Sequence, residues 1–473
     1  MADRQRVVIV GGGFAGFTAA RRLSRLARGA IEIVLVNPTD YFLYLPLLPE
    51  VAAGVLDPRK VAVPLAGNLP GVRHLLASVE KVDVEGRRVT CVDAEGESRE
   101  LTYDRLVVAV GSVNKLLPVP GVAEHAHGFR SVAEALYLRD HLIRQIELAD
   151  AEDDPAERDA RCTFVVVGAG YTGTEVAAQG QLLTLDALRR RPGLRDQRVR
   201  WLLVDKAPRI LPELDERLSR TAHDTLTGRG LDIRPGTTVA EATAEGVRLS
   251  DGEFVPTRSL IWCVGVGPDP LVESLGLPTK KGRLLVDEYL TVPGHPEIFA
   301  CGDAAAVPDL TRPGEYTTMT AQHATRQGKR VAENIAASYG RAVRRPYRHS
   351  DLGFVVDLGG AKAAANPLGV PLSGVAAKAV TRGYHLLAVP SGRARIAGNW
   401  LLDALLPRQT VQLDLVRGGA VPLTSATPER PHVSAGAGTP PPPGRKAEGP
   451  GGPASEEETG ESHKAGAHAS GGG

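Results

Sequence analysis

Apolar, β-branched residues come in short bursts along this chain, and the strongest bursts are closed by glycines. Val7-Val8-Ile9-Val10 runs into Gly11-Gly12-Gly13-Phe14-Ala15-Gly16, and Thr163–Val167 runs into Gly168-Ala169-Gly170-Tyr171-Thr172-Gly173. Such runs, with no polar alternation, predict strands buried on both faces, and the small-residue stretches after the glycines predict helices. Residues 31–36 and 200–204 predict the next strand of each unit. Leu106-Val107-Val108-Ala109-Val110-Gly111 and Leu260-Ile261-Trp262-Cys263-Val264-Gly265 read as a third matched pair, each a buried strand ending in a glycine turn. The succession therefore occurs twice. Between the copies, residues 147–161 are rich in Asp, Glu, Ala and Arg with one Pro, which predicts an exposed connection. From residue 424 on, Pro, Gly, Ala, Ser and Glu replace the large apolar residues, which predicts a disordered tail.

Composition narrows the picture. A chain of 473 residues, 42% hydrophobic and 23% charged, has room for two or three domains with a buried core. A net charge of +1 gives no overall attraction to nucleic acid. Cys91, Cys162, Cys263 and Cys301 are scattered and form no CxxC or CxxxxC pair, so neither a redox disulfide nor a zinc ribbon is suggested, and no metal site is expected. The apolar start at Val7 resembles a signal peptide only until Gly11, Gly12, Gly13 and Gly16 interrupt it. No uncharged apolar run reaches the length of a membrane span, so any membrane contact would be peripheral.

Both glycine clusters match GxGxxG between a strand and a helix, the context in which the pattern binds dinucleotides. Gly11 permits the tight turn, Gly13 lets the backbone approach a pyrophosphate, and Gly16 lets helix pack on strand; Gly168, Gly170 and Gly173 repeat these roles. Phe14 and Ala15 open a helix whose amino terminus would face the phosphates. The strand after the first helix ends at Asn37, where such folds commonly place an acid for the adenosine ribose. An amide can still bind a ribose hydroxyl, a plain turn before Pro38 is the competing reading, and Asp40 is a nearby substitute. The second unit does end on an acid, Asp205, which favours NAD over NADP, while Lys206 and Arg209 pull against that preference.

Ile298-Phe299-Ala300-Cys301-Gly302-Asp303, with Thr291 upstream, looks like the late FAD motif of the two-dinucleotide-binding flavoproteins. Leu45-Pro46-Leu47-Leu48, Glu50-Val51-Ala52-Ala53-Gly54, Asp57-Pro58 and Ala321-Gln322-His323-Ala324-Thr325-Arg326-Gln327-Gly328 narrow the likeness. They resemble the type II NADH:quinone oxidoreductases over about residues 5–420. The resemblance implies an α/β chain with two Rossmann-like domains, the NAD domain inserted in the FAD domain. The boundaries expected are 1–125 and 287–370 for FAD, 126–161 for a connecting helix and linker, and 162–286 for NAD. A C-terminal amphipathic region would span 371–423, and the tail 424–473.

By position, the resemblance puts FAD on Gly11, Gly13, Phe14, Ala15, Gly16, Asn37, Gly111, Asp303, Ala321 and Gln322, with Asp303 at the ribityl and phosphate region. It puts NADH on Gly168, Gly170, Gly173, Glu175, Asp205 and Gly265. Gln322 would lie beside the flavin and the quinone head group, able to hydrogen-bond a quinone carbonyl; an ordinary polar residue at a helix start is the plainer reading. Glu175 would relay protons or position NADH, against the plainer reading of an acid in a first helical turn. Lys378 is matched to a lysine near the quinone pocket, and snorkelling at a surface explains it equally.

The activity implied is hydride transfer from NADH to FAD and two electrons on to a menaquinone or ubiquinone, without proton pumping. A ferredoxin-type reductase and a flavin-bound sensor or assembly factor are the alternatives. Within residues 393–406, Ile396, Trp400, Leu401 and Leu405 recur at helical spacings, with Arg393, Arg395 and later Arg408 available for anionic head groups, and Val375, Ala379, Val380, Leu386 and Leu387 form a second apolar stretch. Both suit interfacial helices on the cytoplasmic side of the cell membrane, with packing on the protein itself or across a homodimer as the other reading.

Overall fold

The computed structural model describes residues 4–425, all within one compact unit. Of the tail expected over residues 424–473, residues 426–473 lie outside the described residues.

Two sheets follow from the two sets of apolar bursts. In the first, Arg6–Val10 lies between Glu32–Asn37 and Arg105–Val108, with Val8 opposite both Val34 and Leu106. His295–Ala300 pairs in parallel on the far side of Arg105–Val108, and Arg73–Asp83 pairs in parallel with Glu32–Asn37. Arg88–Asp93 and Ser98–Thr102 extend that edge as an antiparallel meander, making eight strands with Thr291–Val292. Val7, Val8 and Ile9 have no exposed surface, and each such side chain contributes about 1.5–3 kcal/mol by leaving water.

The second sheet is wholly parallel and runs Ala126–His127, Leu260–Trp262, Thr163–Val167, Arg200–Asp205, Leu231–Pro235. All of it lies in sequence between Arg105–Val108 and His295–Ala300 of the first, so one dinucleotide-binding unit is inserted in the other. Its helix Tyr171–Leu188 carries Gly180 directly above Trp201, where a Cβ would come 2.3 Å from the indole. Trp201 stacks on Phe164 at 4.9 Å and donates to Thr184 Oγ1 at 3.0 Å, so the glycine is required by packing.

Residues 147–161 are exposed or half-buried except for Ala149 and Ala160, as their composition implies, yet most of them are helical. Val132–Asp150 begins with a capping box between Ser131 and Glu134, and Pro155–Arg161 begins with Asp154 accepting from Ala156 N at 2.9 Å. Local capping overrides composition here. After the helix Ala321–Ser338, a small sheet of Val355–Asp357, Ala363–Ala365 and Leu372–Ser373 leads into the helices Gly374–Ala388 and Arg393–Leu405. Among the described residues, no helix is long and apolar enough to cross a membrane.

Candidate active site

The two glycine turns have the same geometry. Gly11 (φ +95°) and Gly168 (φ +101°) lie in left-handed backbone, where a Cβ would come 2.4 Å from Ala109 O and 2.3 Å from Cys263 O. Gly16 and Gly173 sit 1.8 Å, measured from their would-be Cβ, from the carbonyls of Gly11 and Gly168, so each helix rests on its own turn. Gly13 and Gly170 face open space. They also precede helices whose first turns have no capping side chain, whereas Ser131, Asp154, Asp215 and Thr320 cap other helices of the chain. The amides of those two first turns are thus left for an anionic ligand.

The strand-end residues mirror each other too. Asn37 Oδ1 accepts from Gly12 N at 2.7 Å, and Asp205 Oδ2 accepts from Ala169 N at the equivalent place. Asp205 also accepts from Ala207 N at 2.7 Å, while Asn37 Nδ2 donates to Thr39 O at 2.8 Å. Asn37 is buried at the cavity wall and Asp40 is exposed, so Asn37 and not Asp40 stands at the first turn.

A cavity of 960 Å³ joins the units, reaching from Gly11 and Gly13 past Gly111 and Asp303 to Gly170, Gly265 and Gln322. Gly111 (φ +80°) and Gly265 (φ +96°), in left-handed backbone after the third strand of each unit, line it. Asp303 accepts from Ser112 Oγ at 2.8 Å, and burial raises its pKa against the pull of Ser112, Arg283 and Arg130. Phe14, Ala15 and Ala321 complete that end. The elongated volume, uncapped helix ends and open Gly13 fit a dinucleotide such as FAD at the first turn, and the matching second end fits a nicotinamide dinucleotide.

Gln322, in the first turn of the helix Ala321–Ser338, donates from Nε2 to Gly353 O at 2.8 Å. Its Oε1 is buried with no partner in the protein, so the amide presents an acceptor at the cavity wall. Glu175 also lines the cavity, but in the second turn of its helix, so a first-turn dipole does not explain it. It is buried, its Oε1 accepts from Asp357 N at 2.8 Å, and burial raises its pKa strongly.

Lys378 does not reach the cavity wall. It is buried behind it, ion-paired to Asp357, which corrects the snorkelling alternative. Gly16, Gly168 and Gly173 hold the turns from behind the wall, and partly exposed Asp205 stands beside the second turn, outside the cavity lining. Four residues of this region went unassigned in the sequence reading: Glu50, Asp357, Tyr44 and His385. Tyr44 OH lies 3.0 Å from His385 Nδ1, and burial depresses His385 to about 4, leaving it neutral. A usable signal existed for Glu50, a lone acid in Leu47-Leu48-Pro49-Glu50-Val51-Ala52-Ala53, and for Asp357, which ends an apolar burst as Asp205 does.

The apolar C-terminal residues divide between two faces. Ile396 and Trp400 are buried, while Leu401, Leu405, Val375 and Leu387 are 60%, 70%, 71% and 76% exposed. The expected single stripe of Ile396, Trp400, Leu401 and Leu405 is therefore corrected: half of it packs on the protein.

The model of the pyridine nucleotide-disulphide oxidoreductase family matches residues 5–328. The chain is 31% identical over 428 residues to the type II NADH:quinone oxidoreductase Ndh of Mycobacterium tuberculosis, covering 86% of this chain and 89% of that protein. It is 32% identical over 413 residues to the demethylphylloquinone reductase NdbB of Synechocystis, covering 85% and 97%. In fold it is similar to NDH2 from Plasmodium falciparum, solved in complex with NADH, with a TM-score of 0.77 at 17% identity over 86% of this chain and 100% of that one.

Proposed function

The chain belongs to the pyridine nucleotide-disulphide oxidoreductase family and within it to the type II NADH:quinone oxidoreductases, and from that premise we propose that it oxidises NADH and reduces a menaquinone or ubiquinone without pumping protons. When bound, FAD supplies the redox chemistry, accepting hydride from NADH and passing two electrons to the quinone. The protein binds, orients and manages protons. Gly11, Gly13 and the uncapped start of the helix Phe14–Ala27 hold FAD phosphates, with Asn37 at the ribose and Asp303 at the ribityl end. Gly168, Gly170, Gly265 and Asp205 hold NADH, with Asp205 selecting against a 2′-phosphate.

The observation that carries this reading is one continuous cavity from both glycine turns to Ala321 and Gln322. The four cysteines are free, so no thiol pair offers a disulfide route. Gln322 is proposed to sit at the quinone head group: its buried Oε1 accepts from a hydroxyl, and its second amide hydrogen is the one left for a carbonyl. Glu175, at the wall and inclined to hold a proton, is proposed as the proton donor to the reduced quinone, with Lys378 acting on it through Asp357.

A lipid-soluble substrate requires a route to the bilayer. The outward face formed by Val375, Leu387, Leu401 and Leu405, extended by Leu402 and Leu406 and flanked by exposed Arg393 and Arg395, is proposed to lie in the headgroup region on the cytoplasmic side of the membrane. Anaerobic kinetics with NADH and NADPH against quinone analogues and ferredoxin test the assignment. Reduction of ferredoxin and of no quinone overturns it. Vesicle co-sedimentation with analytical ultracentrifugation tests the face, and a homodimer buried through Leu401 and Leu405 with no vesicle binding overturns the membrane assignment.

A further inference from the structure

Behind the cavity wall, five elements turn polar side chains into one buried knot. Glu50 comes from the short helix Leu48–Ala52, Glu175 and Gln179 from Tyr171–Leu188, Asp357 from Val355–Asp357, Lys378 from Gly374–Ala388, and Trp400 from Arg393–Leu405. All are less than 10% exposed. Glu50, Glu175, Gln179, Asp357 and Trp400 border a void of 10 Å³, room for about one water molecule. Trp400 Nε1 donates to Glu50 Oε2 at 2.5 Å, and Gln179 Oε1 is buried without a partner at the same void.

The charges in the knot do not balance. Three carboxyls share one ammonium, and Lys378 spends it on Asp357. Among the other charged groups around Glu50, Arg382 borders the same void and pulls on the carboxyl, but no ion pair joins the two. Arg382, on the helix of Lys378, lies 4.9 Å over the Trp400 ring, and His385 on that helix is kept neutral by burial. The helix Val132–Asp150 packs against Leu48–Ala52 and carries Arg139, which is paired to Asp140 at 3.0 Å. A buried carboxylate with no cation of its own takes up a proton instead. Burial and then Asp357 push Glu50 up to about 7, against the pull of Lys378, Trp400 and Arg382.

We propose that Glu50 is a second proton-carrying carboxyl behind Glu175, exchanging its proton with Glu175 across the water-sized void, with the Trp400 indole fixing its orientation from the C-terminal helix. The proposal rests on the reading of the site as a quinone reductase. NADH brings one hydride, which is two electrons and one proton, whereas a quinone needs two electrons and two protons. One proton per turnover therefore comes from outside the substrate pair. Glu175 gives it to the quinone oxygen, Glu50 re-protonates Glu175, and bulk water re-protonates Glu50. Glu50 touches no substrate, so it is a positioning residue for the proton and acts through Glu175.

The test uses the FAD-loaded enzyme and two variants. Glu50→Gln keeps an acceptor for Trp400, and Trp400→Phe removes the donor. Infrared difference spectra over pH, taken without substrate, should show a protonated-carboxyl C=O band in the wild type that is lost with a midpoint of about 7. The component with that midpoint should be missing in Glu50→Gln, leaving only the contribution of Glu175, and its midpoint should rise in Trp400→Phe, which no longer stabilises the carboxylate. In stopped flow, the ratio of the quinone half-reaction rate to the NADH half-reaction rate should fall roughly tenfold or more in Glu50→Gln, most steeply above neutral pH. A component of that midpoint that persists in Glu50→Gln overturns the proposal, as does a variant with the wild-type ratio at every pH. A wild type that reduces no quinone overturns the functional reading and the relay with it, while the infrared arm still reports whether Glu50 holds the proton.

Discussion

Replacing Lys378 by Met keeps the length and the apolar stem of the side chain and removes only the ammonium. The side chains of Lys378 and Asp357 are 8% and 11% exposed, so the partner left behind cannot be rescued by water. Breaking such a pair from one side costs about 3–5 kcal/mol, mostly the penalty of a stranded charge. Glu50 and Glu175 make the stranding worse here, because neither offers a cation. The variant can escape by binding a proton in the native state that the unfolded chain does not hold near neutral pH. Its native state then binds more protons than its unfolded state, so its stability should fall as pH rises, by up to about 1.4 kcal/mol per pH unit for each proton involved. Urea unfolding of the FAD-loaded protein at fixed flavin concentration, at about pH 6 and about pH 8, should therefore give a loss of roughly 3–5 kcal/mol at the higher pH and roughly 2 kcal/mol less at the lower. The double variant Lys378→Met/Asp357→Asn, with no stranded carboxylate at that position, should recover most of the loss. A penalty under about 1 kcal/mol, or one equal at both pH values, would refute the buried-pair reasoning.

Gly328→Ala places a Cβ 2.1 Å from Ala15 O, so the helices Phe14–Ala27 and Ala321–Ser338 must part; we expect a loss of about 1–3 kcal/mol and a lowered flavin-to-protein absorbance ratio after gel filtration, and full flavin retention would contradict this. Asn37→Asp sets a carboxylate oxygen against Thr39 O, where Nδ2 now donates at 2.8 Å, and should lower apoprotein stability by about 1–3 kcal/mol in denaturant titrations. Asp205→Ala releases the amides of Ala169 and Ala207 and should raise the KM for NADH roughly tenfold while narrowing the preference over NADPH, a prediction sunk by unchanged discrimination. Leu401→Glu/Leu405→Glu changes residues that are 60% and 70% exposed; vesicle binding should drop about tenfold or more, with stability within about 0.5 kcal/mol of the wild type by thermal unfolding.

Both glycine turns were legible in the sequence because their geometry is local: the clash that demands Gly16 is with Gly11, five residues away, and the same interval separates Gly168 from Gly173. The buried knot was not, because its members come from residues 50 to 400 and share no spacing. Glu50 entered only as part of the segment Glu50-Val51-Ala52-Ala53-Gly54 that carries the family likeness, and Trp400, its donor, read as part of an interfacial stripe. That stripe failed for a geometric reason. Ile396 and Trp400 are four residues apart and so share a face, as do Leu401 and Leu405, but the second pair is shifted by five residues, about 140° around the helix. Periodicity sees one broad apolar arc, and only the packing of Trp400 on Glu50 shows that its inner edge belongs to the protein.

The one irregularity between the two turns, an amide in the first where the second has an acid, follows from burial and neighbours. Asn37 is 7% exposed, and its two polar ends face groups of opposite character: an N–H at Gly12 and a carbonyl at Thr39. Only a side chain that both accepts and donates satisfies both, and an amide does so without bringing charge into the core. Asp205 is partly exposed and faces two N–H groups, Ala169 and Ala207, which an ionised carboxylate satisfies with both oxygens. The duplicated turn is therefore held shut by the same bond in both units, from the strand-end side chain to the middle residue of Gly-x-Gly. What differs is the second partner, so Asn37 fits the loop through Thr39 and preserves the turn that an acid elsewhere secures.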